Sequence, residues 1–235
     1  MRAVVAHAFG PPESLKLQDI ATPEPGAGEV RIAIRAAGVS FVDVLVASGG
    51  YQVKPPLPHI PGGEFAGVVD AVGEGVTIRE VGDRVCASGF GGGFAQYAVR
   101  PAEATVLIPE SMDFADGATF RVSAVTAAHA LVQRGRLEAG ETVLVLGAAG
   151  AVGLAAIQLA KALGARVIAS ASSPAKRALA LACGAEEAID NAAEDWRDRV
   201  KAFSGGKGVD VVVDPVGGMR ANGGSAAWAG KGATW

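Results

Sequence analysis

Near the middle of the chain, the apolar run Thr142-Val143-Leu144-Val145-Leu146 leads directly into Gly147-Ala148-Ala149-Gly150-Ala151-Val152-Gly153, and this junction narrows the possible folds more than any other segment. A continuous apolar run cannot alternate between core and solvent, so it is expected as a parallel strand covered on both faces. A helix pattern follows from Val152 to Leu163, with Lys161 as its sole charge and Gly164 as its C-terminal stop. Glycine between such a strand and helix permits a tight turn, close backbone approach to a pyrophosphate, and close packing of helix on strand. The helix start adds free N–H groups and the positive end of its dipole. In a chain with 33 glycines the triplet alone carries little weight; its strand-loop-helix setting supplies the rest.

The same rhythm continues downstream. Arg166 to Ser170 reads as a second strand, Lys176 to Cys183 as a helix and Glu187 to Ile189 as a short strand. A polar helix around Trp196 to Phe203 and a strand from Val209 to Asp214 come next. Strands alternating with helices specify an α/β fold with a doubly wound parallel sheet. Dinucleotide folds of this type have six strands in two halves, whereas four are legible here. After Gly218 the apolar periodicity stops, so residues 219–235 are expected to be an irregular tail and the sheet, over 123–218, to be partial. Residues 1–122 differ in character. Val30, Ile32 and Ile34 lie on one face of a period-two strand, and short apolar runs recur between Gly62-Gly63, Gly73, Gly75 and Gly82. This pattern predicts a small, curved, β-rich first domain.

Composition removes several function classes. The formal charge is −3 with no basic cluster, so neither nucleic acid nor an anionic membrane has an electrostatic footprint. No apolar run is long enough to span a bilayer, and polar and proline residues interrupt the N-terminus before a signal core could form. Cys86 and Cys183 are far apart and read as reduced thiols of a cytoplasmic protein. Two cysteines cannot build a four-thiolate zinc site, and no metal is expected.

The second strand bears on which dinucleotide is bound. An NAD site places Asp or Glu about 20 residues beyond the glycine loop, to bind the ribose 2′-hydroxyl. Here that region reads Ser170-Ala171-Ser172-Ser173-Pro174-Ala175-Lys176-Arg177, without an acid. Hydroxyls followed by two cations suit a 2′-phosphate. The alternative is that Lys176 and Arg177 only form a solvated first helical turn.

Several segments in order carry a wider resemblance: Ala37-Gly38-Val39-Ser40-Phe41-Val42-Asp43, Gly49-Gly50-Tyr51, Ile60-Pro61-Gly62-Gly63-Glu64-Phe65-Ala66-Gly67, Gly82-Asp83-Arg84-Val85, Thr126-Ala127-Ala128-His129-Ala130-Leu131, the glycine loop, and Asp214-Pro215-Val216-Gly217. From Met1 to about Gly218 the chain resembles the zeta-crystallin-like quinone oxidoreductases of the medium-chain dehydrogenase superfamily. The resemblance implies a GroES-like catalytic domain followed by a Rossmann domain, and NADPH reducing a quinone or conjugated enone by hydride transfer in the interdomain cleft. Zinc-dependent relatives carry Cys at the position of Ser40 and His at that of Gly63, so the implied chemistry uses no metal.

Carried over onto this sequence, Gly147, Gly150, Ala151, Val152 and Gly153 resemble the pyrophosphate loop, and Ser172, Ser173, Lys176 and Arg177 the 2′-phosphate pocket. Thr126 resembles the residue near the nicotinamide, and Asp214 and Val216 belong to the loop beside its ribose. Tyr51, Ser40 and Asp43 are the implied substrate-site residues: the Tyr51 phenol could hydrogen-bond a carbonyl oxygen. Asp43 either orients the site or is a local cap. Two departures stand out. Ser40 replaces a more common Asn, and Asn191 replaces a tyrosine on the adenosine-phosphate side. Relatives continue past the Asp214 loop and form homodimers, so the chain is expected to stop short of the full fold. Three readings follow: a working reductase, an NADPH-binding protein without turnover, or a truncated, inactive reductase.

Overall fold

Period-two patterning in the first half of the chain builds antiparallel sheet. In the computed structural model, which describes residues 1–217 and 233–234, β1 (Arg2–Val5) and β2 (Lys16–Asp19) form a separate antiparallel pair. A second sheet contains β3 (Glu29–Gly38), β4 (Glu64–Val72), β5 (Arg84–Ser88), β6 (Tyr97–Pro101) and β7 (Thr105–Leu107), in the order β6-β3-β4-β5-β7. Every pair in it is antiparallel. Val30 and Ile32 face inward as their spacing predicts, packing with Phe65, Val69 and Val85. Register shifts between β3 and β4 at Arg31/Ile32 and Ile34/Ala36 curve the sheet. The strands approach closely there: a Cβ on Gly67 would lie 2.2 Å from the Ala33 carbonyl oxygen.

Two helices interrupt this β-rich unit, α1 (Phe41–Ala47) and α2 (Phe114–Ala128), the latter continuing into a π-helical turn at His129–Arg134. The β-rich reading of residues 1–122 did not anticipate them. In α1 three of seven residues are valine, which favours strand, and the helix owes its start to Ser40 and Asp43 rather than to propensity.

The second half is a parallel sheet with helices on both faces. Its elements are β8 (Thr142–Val145), α3 (Ala151–Ala162), β9 (Arg166–Ala171), α4 (Pro174–Ala182), β10 (Glu187–Asp190), α5 (Trp196–Phe203), β11 (Val211–Asp214) and β12 (Ala233–Thr234). The strand order is β10-β9-β8-β11-β12, all parallel. This is the first five-strand portion of a dinucleotide-binding sheet. Val143 and Val145 pack with Ile157 of α3, while Leu144 and Leu146 pack with Ile168, Ile189 and Val200 of α5 on the other face. Burial on alternate sides explains why Val143, Leu144 and Val145 of β8 are all apolar.

Three details differ from expectation. Helix α4 starts at Pro174, two residues before the periodicity suggests, because Ser173 caps it and proline is pre-set for the first helical turn. Strand β11 begins at Val211, although Val209 is already buried. Within the expected irregular tail, Ala233 and Thr234 form β12 beside Val213 and Asp214; two residues show no periodicity, and the open edge of β11 supplies the ladder. The rest of 219–235 lies outside the described residues. Contacts divide the chain into Met1–Val122 and Ser123–Trp235. Among the described residues no helix is long and apolar enough to cross a membrane.

Two-sided burial of β8 has a direct consequence. Leu144→Ala should lower the unfolding free energy by about 2–5 kcal/mol in urea titrations, whereas Leu17→Ala, on a residue 67% exposed, should change it by less than about 0.5 kcal/mol.

Candidate functional site

The three loop glycines serve three different geometric needs. Gly147 has φ +58°, and a Cβ there would lie 2.6 Å from Val216 Cγ2. Gly153 sits where helix meets loop: a Cβ would be 2.6 Å from the Gly147 carbonyl oxygen and 2.8 Å from Ala148 Cα. Gly150 differs. It has φ −80°, caps α3, and a Cβ on it would meet nothing closer than the Gly147 carbonyl oxygen at 3.3 Å. A side chain at Gly150 would thus crowd one backbone oxygen, less severely than at the other two glycines, at the end of α3 where unpaired N–H groups gather. Ala148 N–H donates to the Ser170 carbonyl at 3.1 Å and Gly150 N–H to the Gly147 carbonyl at 2.9 Å, which fixes the loop. A glycine turn between strand and helix start is the kind of feature at which a pyrophosphate binds.

At the C-terminal end of β9, Ser172 is exposed and Ser173 is half-buried, its hydroxyl accepting the Lys176 N–H at 3.4 Å. Lys176 is exposed and makes no ion pair among the described residues. Arg177 behaves otherwise. Its Nη1 donates to Asp190 Oδ2 at 2.8 Å and to the Ala171 carbonyl at 3.1 Å. The parallel register sets Asp190 directly beside Ala171, which brings this acid to the loop. The Ala192 N–H and then Arg177 hold the Asp190 carboxyl below the usual range.

Asp214 ends β11 and is 1% exposed. Its Oδ1 accepts the N–H groups of Val216 at 2.9 Å and Gly217 at 3.0 Å, an arrangement that shapes the loop packed on Gly147. Its Oδ2 is buried without a partner among the described residues. Thr126 is half-buried on α2, next to Ala127, which packs into one core cluster with Ala148 and Val213. Apart from Thr126 on α2, the predicted cofactor residues thus lie at the C-terminal ends of β8, β9 and β11.

In the first unit the structure ties Ser40 and Asp43 together. Asp43 Oδ2 accepts the Ser40 N–H at 2.7 Å and the Ser40 hydroxyl at 2.9 Å, and Oδ1 accepts the Gly63 N–H at 2.7 Å. The buried carboxylate therefore joins the start of α1 to the Gly62-Gly63 loop. Glu64 Oε1 accepts the Val122 N–H at 2.7 Å, and burial raises its carboxyl above the ordinary range. Tyr51 is half-buried, its ring 6.2 Å from that of Phe90, and its hydroxyl has no partner among the described residues. Under the same loop lies His59, which donates to the Phe90 carbonyl while its Nε2 is buried without a partner.

Residues 26–110 match the alcohol dehydrogenase GroES-like domain, and residues 151–230 match the zinc-binding dehydrogenase domain. The chain is 42% identical over 216 residues to a quinone oxidoreductase of Rattus norvegicus, covering 91% of this chain and 66% of that protein. A quinone oxidoreductase of Pseudomonas syringae superposes with a TM-score of 0.88 at 37% identity, over 97% of this chain and 70% of that one. This chain belongs to the quinone oxidoreductase family of medium-chain dehydrogenases. A mycobacterial member solved in complex with NADPH aligns with a TM-score of 0.87 at 35% identity, over 97% of this chain and 71% of its own. The chain spans about two thirds of the length of the rat quinone oxidoreductase.

The donor set does not fit the zinc that the second domain description implies. Ser40 and Gly63 offer no thiolate or imidazole, and Asp43 and Glu64 already accept hydrogen bonds from the chain. Among the described residues no three His, Cys, Asp or Glu side chains gather closely enough to hold a metal.

Sequence reasoning passed over His59, Phe90 and Asp190. Only Asp190 left a signal, an acid at the end of the strand expected beside the 2′-phosphate loop. Burial pushes the His59 imidazolium below its ordinary value of 6.5, so the native state holds it neutral while the unfolded chain takes up a proton. Its contribution to stability is present above about pH 6.5 and is lost as pH falls from there toward the lower native value. Urea titrations at about pH 7.5 and 5.5 should show a smaller acid loss of stability in His59→Gln than in the parent chain.

Proposed function

We propose that this quinone oxidoreductase family member is an NADPH-dependent reductase of quinones or conjugated enones. The observation that carries the reading is the geometry of Gly147, Gly150 and Gly153: a Cβ would lie 2.6 Å from the chain's own atoms at the first and third, and 3.3 Å from the Gly147 carbonyl oxygen at Gly150, the residue that caps α3. A nicotinamide bound there supplies a hydride for an electron-poor carbon of the acceptor, and is itself oxidised.

The chain's own residues do the rest. The α3 N-terminus and the loop at Gly150 hold the pyrophosphate. Ser172, Ser173 and Lys176 receive the 2′-phosphate, and no carboxylate stands in the Ser170 to Arg177 stretch to bind a bare ribose hydroxyl instead. Asp214 shapes the Val216-Gly217 turn through Oδ1 and keeps Oδ2 available for a ribose hydroxyl. Thr126 lines the nicotinamide side. Tyr51 donates its phenol proton in a hydrogen bond to the acceptor's carbonyl oxygen, where negative charge develops. Asp43 acts one step back, holding Ser40 and Gly63 in place. Two unpaired thiols, Cys86 and Cys183, suit a reducing compartment such as the cytoplasm.

The test is loss of NADPH absorbance on mixing the chain with a panel of quinones and enones. Gly150→Val should still melt cooperatively, at a lower temperature, yet lose NADPH binding, because its side chain fills the loop and crowds the Gly147 carbonyl at the N-cap of α3. Gly153→Val should fail to fold, because its side chain enters the Gly147 carbonyl. Lys176→Ala should weaken NADPH by about tenfold with little effect on NADH, the scale of one charge-assisted hydrogen bond. Equal loss for both nucleotides would remove the 2′-phosphate assignment.

A further inference from the structure

Two cations follow the Ser172-Ser173 pair, yet only one of them is free to face a ligand. Lys176 is exposed, whereas Arg177 is drawn back over the end of β9. From the first turn of α4 its guanidinium reaches the Ala171 carbonyl, one residue before the two hydroxyls, and is tied to Asp190 of β10. What turns it is Asp190. That carboxylate is itself oriented by the Ala192 N–H, which donates to Oδ1 at 2.9 Å and leaves Oδ2 aimed at Arg177. The pair is only partly exposed, at 21% for the arginine side chain and 34% for the aspartate, so it is a built contact rather than two solvated ends.

We propose that Asp190 sets the strength of NADPH binding by holding Arg177 away from the 2′-phosphate. The inference rests on the NADPH reading above and adds a specificity-determining residue that does not touch the cofactor. Asp190 is a positioning residue: it occupies the guanidinium. A freed Arg177, in the first turn of α4 beside that loop, presents a planar pair of donors matched to phosphate oxygens.

The experiment is fluorescence titration of the full chain with NADPH and with NADH, for the parent, Asp190→Asn, Arg177→Ala, the double variant and Asp190→Glu. Asp190→Asn should bind NADPH about tenfold more tightly, the scale of one added charge-assisted contact, with NADH unchanged within about twofold. Arg177→Ala alone should leave NADPH affinity near the parent's, and in the double variant the gain should disappear. Asp190→Glu, which can restore the tie, should behave as the parent. If Asp190→Asn does not melt cooperatively, Asp190→Ser takes its place with the same expectation.

Three outcomes overturn the proposal while leaving the NADPH reading intact. The first is an unchanged or weaker NADPH affinity in Asp190→Asn. The second is a gain that survives in the double variant, which assigns the effect to charge repulsion alone. The third is a loss in Arg177→Ala as large as that in Lys176→Ala, which puts Arg177 on the phosphate already. A parent chain that binds NADPH no more tightly than NADH overturns the 2′-phosphate reading itself, and the proposal with it.

Discussion

The contact between Gly153 and the Gly147 carbonyl oxygen is the constraint on which the second unit depends. It lets α3 begin almost against the end of β8, where a Cβ would be 2.6 Å from that oxygen. Only at that spacing can Ile157 reach Val143 and Val145 on one sheet face while α5 covers Leu144 and Leu146 on the other. The same close approach points the free N–H groups of α3 at the space before Gly150. Packing and the proposed cofactor loop thus share one cause. A sheet buried on both faces demands a short strand-to-helix turn, and that turn makes the loop.

The first unit is organised by a different device, a buried carboxylate used as a connector. Asp43 accepts three hydrogen bonds, two from Ser40 and one from Gly63, and so joins a helix start to a loop far away in sequence. A buried charge is tolerable when donors satisfy it. Gly63 is tight in its own right, since a Cβ would lie 3.1 Å from the Gly89 carbonyl. The Ser40, Asp43 and Gly63 cluster is thus held together by internal hydrogen bonds, and its oxygens are committed to the chain rather than to an ion.

Much of the second unit was legible in the sequence because both of its signals are local. The run from Thr142 to Leu146 has no polar interruption, and the glycine spacing follows it immediately. The first unit was less legible. Valines in Phe41 to Ala47 argue for strand, and only the pairing of Ser40 with Asp43 reveals a helix start. In the candidate site, Lys176 and Arg177 read as equivalent cations. They differ because of Asp190, whose approach is set by strand register, a tertiary fact with only a faint trace in sequence. His59 left no trace, since what buries its ring is the Phe90-Gly91 backbone, where a Cβ on Gly91 would lie 2.2 Å from His59 Cε1.

The central claim is that the glycine loop at Gly150, with the hydroxyls and cation at the end of β9, forms an NADPH site. Thermal unfolding of the purified chain with NADPH, and with NADH as control, tests it most directly. A ligand that binds only the folded state stabilises it by about 2.7 kcal/mol at a concentration 100-fold above its dissociation constant. The account expects a clear upward shift in Tm with NADPH and a smaller one with NADH at equal concentration. A transition that neither nucleotide moves, or one that NADH moves as far as NADPH, would contradict it.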